Sequence, residues 1–174
     1  RHLWTAVRPN GKKRPYQLNR LELRICDLVT DCDLLLAITA LLELRVMSLM
    51  KNPRKLDPAK MSKFSHIELA ELCDMNEVAA AKNSLDATLH HWMDGRMISC
   101  RDWISELLED VRPLAIDLDI LEVLTAIQEV LDNGNQSMKW LKSFKAGTSV
   151  PMLLSDSIKA MKIEEDVALN KEGF

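Results

Sequence analysis

Arg20-Leu21-Glu22-Leu23-Arg24-Ile25-Cys26-Asp27 is the stretch on which the fold turns. Alternate residues of an extended strand share a face, so Arg20, Glu22, Arg24 and Cys26 fall on one side and Leu21, Leu23 and Ile25 on the other. One apolar face suited to packing on helices and one charged face left open is how a sheet carries a site. A carboxylate and a guanidinium two residues apart on the open face suit a metal ion and a phosphoryl group side by side, since the metal asks for hard anionic oxygen and the phosphate for a fixed fork of donors. The same spacing equally suits a cross-strand ion pair on a solvated face, and spacing alone does not choose between the two.

Upstream, His2 to Arg8 alternates weakly, and Pro9-Asn10-Gly11 opens a turn followed by an exposed basic loop, Lys12-Lys13-Arg14-Pro15. The two strands are thus expected to form a hairpin. His2, Trp4, Ala6 and Arg8 share a face of the first strand. If that is the ligand face, Arg8 is a second phosphate or carboxylate donor; otherwise it is a surface charge at a strand end.

The chain has 174 residues, 47% hydrophobic and 28% charged, enough for one domain with a sizeable core. It opens on Arg1 inside a strand-like stretch, which suggests a piece of a longer protein. The net charge of −3 hides an asymmetry: residues 1–24 carry seven basic groups against Glu22 alone, a balance of +6, and the remainder stands at −9. A basic, strand-forming start on an acidic helical body suits an anionic ligand at the strands. With only Trp4 and Tyr16 as stacking aromatics in that stretch, nucleic acid is not expected. Four cysteines (Cys26, Cys32, Cys73, Cys100) in no Cys-x-x-Cys pattern, with no secretory signal ahead of them, read as reduced thiols in a cytoplasmic protein. Cys26 and Cys32 lie near that charged face, which leaves a redox role open beside the stronger expectation of buried, inert thiols.

Beyond residue 30 the periodicity is helical. Thr30-Asp31-Cys32-Asp33 caps a helix over 34–50 that is apolar on nearly every side and reads as a core element. Its uninterrupted apolar run falls far short of the roughly 18–20 residues of a membrane span, and Glu43 and Arg45 interrupt it. Residues 51–64 read as a basic, proline-punctuated loop, either a lid or a solvated linker. Ser65-x-x-Glu68 predicts a helix to about residue 73, and Asp74-x-x-Glu77 another to about 93, closed by Asp94-Gly95. That would put His90 and His91 about 100° apart on a helix, a poor arrangement for a metal. Amphipathic patterns follow over 103–111, halted near Pro113, and over 118–131, closed by Asn133-Gly134, with shorter helices over 135–145 and 150–161. The architecture expected is α+β and predominantly α. The segments are a hairpin over 1–28, a helical part over 30–162 and a frayed tail over 163–174, together a single domain.

The run Arg1-His2-Leu3-Trp4-Thr5-Ala6-Val7-Arg8-Pro9, then Leu21-Glu22-Leu23-Arg24-Ile25-Cys26-Asp27, then a leucine-rich helix, resembles the C-terminal part of the carboxylate–amine ligase family. Within it the chain is similar to the bacterial and cyanobacterial glutamate–cysteine ligases, whose fold is like that of glutamine synthetase. The resemblance reaches about residue 160. It implies a hairpin remnant of a larger antiparallel sheet backed by about six helices, and an ATP- and Mg²⁺-dependent ligase whose partners are glutamate, cysteine and ATP, with no nucleic acid or membrane. Self-association is left open. Glu22 would ligate the metal, Arg24 would hold the phosphoryl oxygens and Arg8 would touch phosphate or substrate carboxylate. The segment from Asn76 to Ala87 is similar to a family segment with Asn, then Arg six residues on, then Gly-Leu-Asp-Ala. Asn76 matches, Lys82 stands where Arg is usual and Ser84 replaces the Gly, so Asn76 and Lys82 become candidate substrate-binding residues. Lys82 lacks the bidentate fork. The family's Trp-Trp-Asp is here Trp4-Thr5-Ala6, and its Gly-Thr is Asn19-Arg20. Without upstream strands for the remaining metal ligands, the piece alone should not turn over. The alternative reading is a non-catalytic helical interaction module whose basic hairpin, through Lys12, Lys13 and Arg14, docks an acidic partner.

Overall fold

Two strands come first and helices dominate the rest, an α+β architecture that is predominantly α. The computed structural model describes residues 7–10, 20–23, 29–52 and 57–171. Strands β1 (Val7–Asn10) and β2 (Arg20–Leu23) pair antiparallel, with Val7 opposite Leu23, Arg8 opposite Glu22, Pro9 opposite Leu21 and Asn10 opposite Arg20. β1 therefore runs through Pro9 and Asn10, two residues expected to open the turn. Proline is tolerated there because each strand of a two-stranded ribbon keeps one open edge.

Helix α1 (Cys32–Lys51) starts where its cap predicts: the Asp31 carboxylate accepts from the Leu34 N–H at 2.9 Å. Ala37 and Leu44, seven residues apart on one stripe, are fully buried. The helix is not core on every side, however, since Leu35 and Leu36 are 49% and 60% exposed. Cys32 is likewise exposed at the first helical position rather than buried.

A single turn, α2 (Pro58–Met61), interrupts the stretch read as loop. Helix α3 (His66–Asn83) opens on a complete capping box: Glu68 N–H donates to Ser65 Oγ, and Ser65 N–H donates to the Glu68 carboxylate. It runs unbroken through Asp74, so the second predicted start is not used. No glycine or proline lies between Leu72 and Asn76 to end the first helix, and a capping pattern without a breaker simply stays helical.

The helix ends ten residues sooner than the 93 expected. After a 3₁₀ turn (Ser84–Asp86), strands β3 (Thr88–His90) and β4 (Met97–Ser99) pair antiparallel, Leu89 opposite Ile98. Leu89 and Ile98 are buried while Thr88 and Met97 are exposed, the period-2 pattern of a half-buried hairpin. Gly95, at φ +73°, lets the chain reverse between them.

Helix α4 (Cys100–Asp117) passes through Pro113 instead of stopping at it. A 3₁₀ turn (Leu121–Leu124), α5 (Thr125–Asn133), α6 (Gln136–Lys145) and α7 (Val150–Lys171) complete the chain, α7 running well past the 161 expected. The main core gathers Ala37 and Leu44 of α1, Val111, Leu114 and Ala115 of α4, and Leu124, Ile127 and Leu131 around α5. A smaller cluster of Ala87, Leu89 and Ile98 packs with Trp103 under the β3–β4 hairpin.

Candidate active site

The register of the first hairpin sets Arg8 directly across from Glu22. Cα atoms facing each other in an antiparallel pair stand about 4.5–5.5 Å apart, and such positions belong to the same face of the ribbon. Asn10 and Arg20, the next such pair, belong to that face too. Two arginine positions, one glutamate and one asparagine therefore share one side of a four-residue ribbon. Arg24 lies outside the described residues, as do Cys26, Lys12, Lys13 and Arg14.

Asn76 and Lys82 stand on α3. The Asn76 side chain is bonded at both ends to the main chain of His90: its amide nitrogen donates to the His90 carbonyl and its oxygen accepts from the His90 N–H, both at 2.8 Å. An amide used in this way acts as a short piece of strand, tying the middle of α3 to β3. Lys82 is exposed in the last helical turn, with no hydrogen bond or ion pair among the described residues. Six residues apart on a helix, the two do not share a face. The structure thus brings Arg8 and Glu22 together and keeps Asn76 and Lys82 apart.

Two tertiary ties beside this segment went unseen in the sequence. Ser84 adopts φ 54° and ψ −133°, backbone that L side chains avoid, at the position where the similar family segment carries Gly. Its hydroxyl accepts from the Asn135 side-chain amide at 2.7 Å. Two residues on, Asp86 accepts from Nε and an Nη of Arg101 at 3.2 Å each, while the other Nη donates to the Leu131 carbonyl. The Ser-for-Gly replacement was the one sequence signal of unusual backbone here.

The β3–β4 turn is built from polar groups. The Arg96 N–H donates to Asp94 and, with the nearby His91 and Arg96 side chains, holds that carboxyl below its usual value. The Met93 N–H donates to His91 Nδ1, and the imidazole lies against Trp92 and Trp103. Burial raises the Cys100 and Cys73 thiols, the latter with help from the Asp74 and Glu77 charges, which argues against thiolate chemistry at either. Among the described residues no three of His, Cys, Asp and Glu are grouped to hold a metal, and no helix is long and apolar enough to cross a membrane.

Fold and hairpin together describe a helix-rich α+β protein whose leading ribbon sets the positions of Arg8 and Glu22 opposite each other. Residues 1–163 match the family model of glutamate–cysteine ligase family 2 (GCS2), and the chain belongs to that family. Membership points to a ligase activity of the glutamate–cysteine type. No curated protein and no solved structure matches the chain significantly.

Proposed function

We propose that the chain forms part of the active site of an ATP-dependent glutamate–cysteine ligase, which makes γ-glutamylcysteine as the first step of glutathione synthesis. In that reaction the γ-carboxylate of glutamate attacks the γ-phosphoryl group of ATP and ADP leaves. The cysteine amine then displaces phosphate from the acyl phosphate. The observation that carries this reading is the pairing of Arg8 with Glu22 in a chain of this family. An anion must approach a polyanion, so the catalyst has to hold negative charge in a fixed geometry. Arg8 and Arg24 do this for the phosphoryl oxygens and the substrate carboxylate. Asn76 and Lys82 are assigned to the rim of the substrate site, Lys82 as an unpaired cation and Asn76 through its hold on β3.

Glu22 is the metal ligand in this scheme. Mg²⁺ is commonly held by one or two carboxylates with phosphates and water making up the rest, so a single glutamate fits as one contributor. When bound, the ion screens the phosphates from the incoming carboxylate. A single glutamate does not complete a Mg²⁺ site, so the chain by itself is expected to be inactive.

In the complete protein, Glu22→Gln should lower Mg²⁺-dependent ADP release by about 10²–10³, the usual weight of one preorganised charge contact, with the melting temperature nearly unchanged. Normal turnover in that variant would defeat the assignment. If the hairpin serves docking instead, neutralising Lys12, Lys13 and Arg14 would weaken a partner and leave ADP release alone.

A further inference from the structure

A second region of positive charge lies in the helical body, away from the hairpin in sequence. α5 ends at Gly134, whose φ of +84° turns the chain so sharply that Asn135 caps α6 in the next step. The end of α5, the face of α6 and Arg101 from the first turn of α4 all line one cleft. Its volume is about 670 Å³ and its walls include Arg101, Asn133, Lys139, Lys142 and Ser143. That volume lies within the range of small-molecule sites, roughly 300–1,000 Å³.

Its charge runs against its surroundings. Residues 25–174 are net acidic, yet three cations line this cleft and Asp132 is the one carboxylate among its walls. Asp132 accepts from the Gln128 side chain at 3.0 Å. Arg101 is held in place by Asp86 and the Leu131 carbonyl. Lys139 and Lys142, one turn apart on α6, have no ion-pair partner among the described residues. No Asp or Glu lies between residues 134 and 155, so α6 carries these cations with no acid on its own helix to neutralise them.

We propose that this cleft binds a small polyanion, a molecule carrying two or more phosphate or carboxylate charges. Lys139 and Lys142 supply the charges, Asn133 and Ser143 neutral polar contacts, and Arg101, already paired with Asp86, shapes the wall. Lysine ammonium groups act as point charges and suit phosphate at least as well as carboxylate. The proposal stands apart from the hairpin reading, because none of these residues belongs to that site.

Calorimetric titration of the whole chain tests it, with pyrophosphate as the phosphate probe and citrate as the carboxylate probe, both without metal. Saturable binding of either at one per chain is expected. Lys139→Gln and Lys142→Gln should each weaken it several-fold, and together by about tenfold or more, as for loss of two charge-assisted contacts. Lys159→Gln, on α7 and paired with Asp156, should leave it unchanged. Which probe binds more tightly decides between phosphate and carboxylate ligands. No saturable binding of either probe, or binding that the double variant leaves intact, overturns the proposal. Binding lost in Lys159→Gln as well would mark it as a general attraction to surface lysines and overturn the proposal equally.

Discussion

The Asn135 side-chain amide donates to the Ser84 hydroxyl at 2.7 Å, joining residues 51 positions apart in the chain. Asn135 is at the same time the N-cap of α6, its oxygen accepting from the Met138 N–H at 3.1 Å. One side chain thus fixes the start of a helix and the strained residue that ends another. Ser84 sits at φ 54°, where a Cβ costs about 1–3 kcal/mol. The hydrogen bond to Asn135 returns about 1 kcal/mol of that.

From this follows an inverted preference. Ser84→Ala keeps the strain and loses the bond, and should destabilise by about 1–2 kcal/mol. Ser84→Gly loses the bond but relieves the strain, and should lie within about 1 kcal/mol of the wild type. Chemical denaturation of the two variants checks the order. Alanine proving more stable than glycine would mean that Ser84 is not held in this conformation in solution.

Asn76 supports a sharper test of structure against substrate binding. Asn76→Asp can still accept from the His90 N–H but cannot donate to the His90 carbonyl, and sets a charge against it. A loss of about 2–3 kcal/mol is expected, because a partly buried carbonyl loses its donor. If Asn76 served only the substrate, the variant would melt normally and change KM alone.

Local signals made much of the fold legible. Asp31, Ser65, Asn135 and Gly134 mark helix ends through interactions made within four residues, and each acts where its sequence context places it. Alternation announced the leading hairpin but not its register, since Pro9 and Asn10, read as opening the turn, pair with Leu21 and Arg20 inside it. What escaped depends on the rest of the molecule. Thr88-Leu89-His90 is too short to outweigh the alanine-rich helix before it, and becomes a strand by pairing with Met97-Ile98-Ser99 and by Asn76 gripping His90. Arg101 reaching both Asp86 and Leu131 is tertiary and leaves no trace in spacing.

The α3 capping box gives a pH dependence. Hydrogen bonds from the Ser65 backbone and then its side chain hold the Glu68 carboxyl below the ordinary 4.5. A group depressed on folding stabilises the native state above its unfolded value and loses that contribution as pH falls through the folded one. Stability should therefore decline on acidification from about pH 5 downward, and Glu68→Gln should flatten part of that decline. Ser65→Ala should cost about 1 kcal/mol at neutral pH. An acid limb identical in wild type and Glu68→Gln would show that the box does not form in solution.

Pro113 lies inside α4, where its ring removes one hydrogen bond to the Glu109 carbonyl and crowds it. The helix survives because Val111, Leu114 and Ala115 bury their side chains against α1 and the 3₁₀ turn, at 0–8% exposure. Glu109 and Pro113 both face solvent, so water can satisfy the freed carbonyl. Restoring the bond with Pro113→Ala should gain more than the roughly 0.4–1 kcal/mol lost through a freer unfolded chain, for a net of about 1 kcal/mol. In a chain of this size that raises the melting temperature by about 2–4 °C. A lower melting temperature would instead mean that the core is shaped around the bend proline makes, and that α1 and α4 pack correctly only when α4 is kinked.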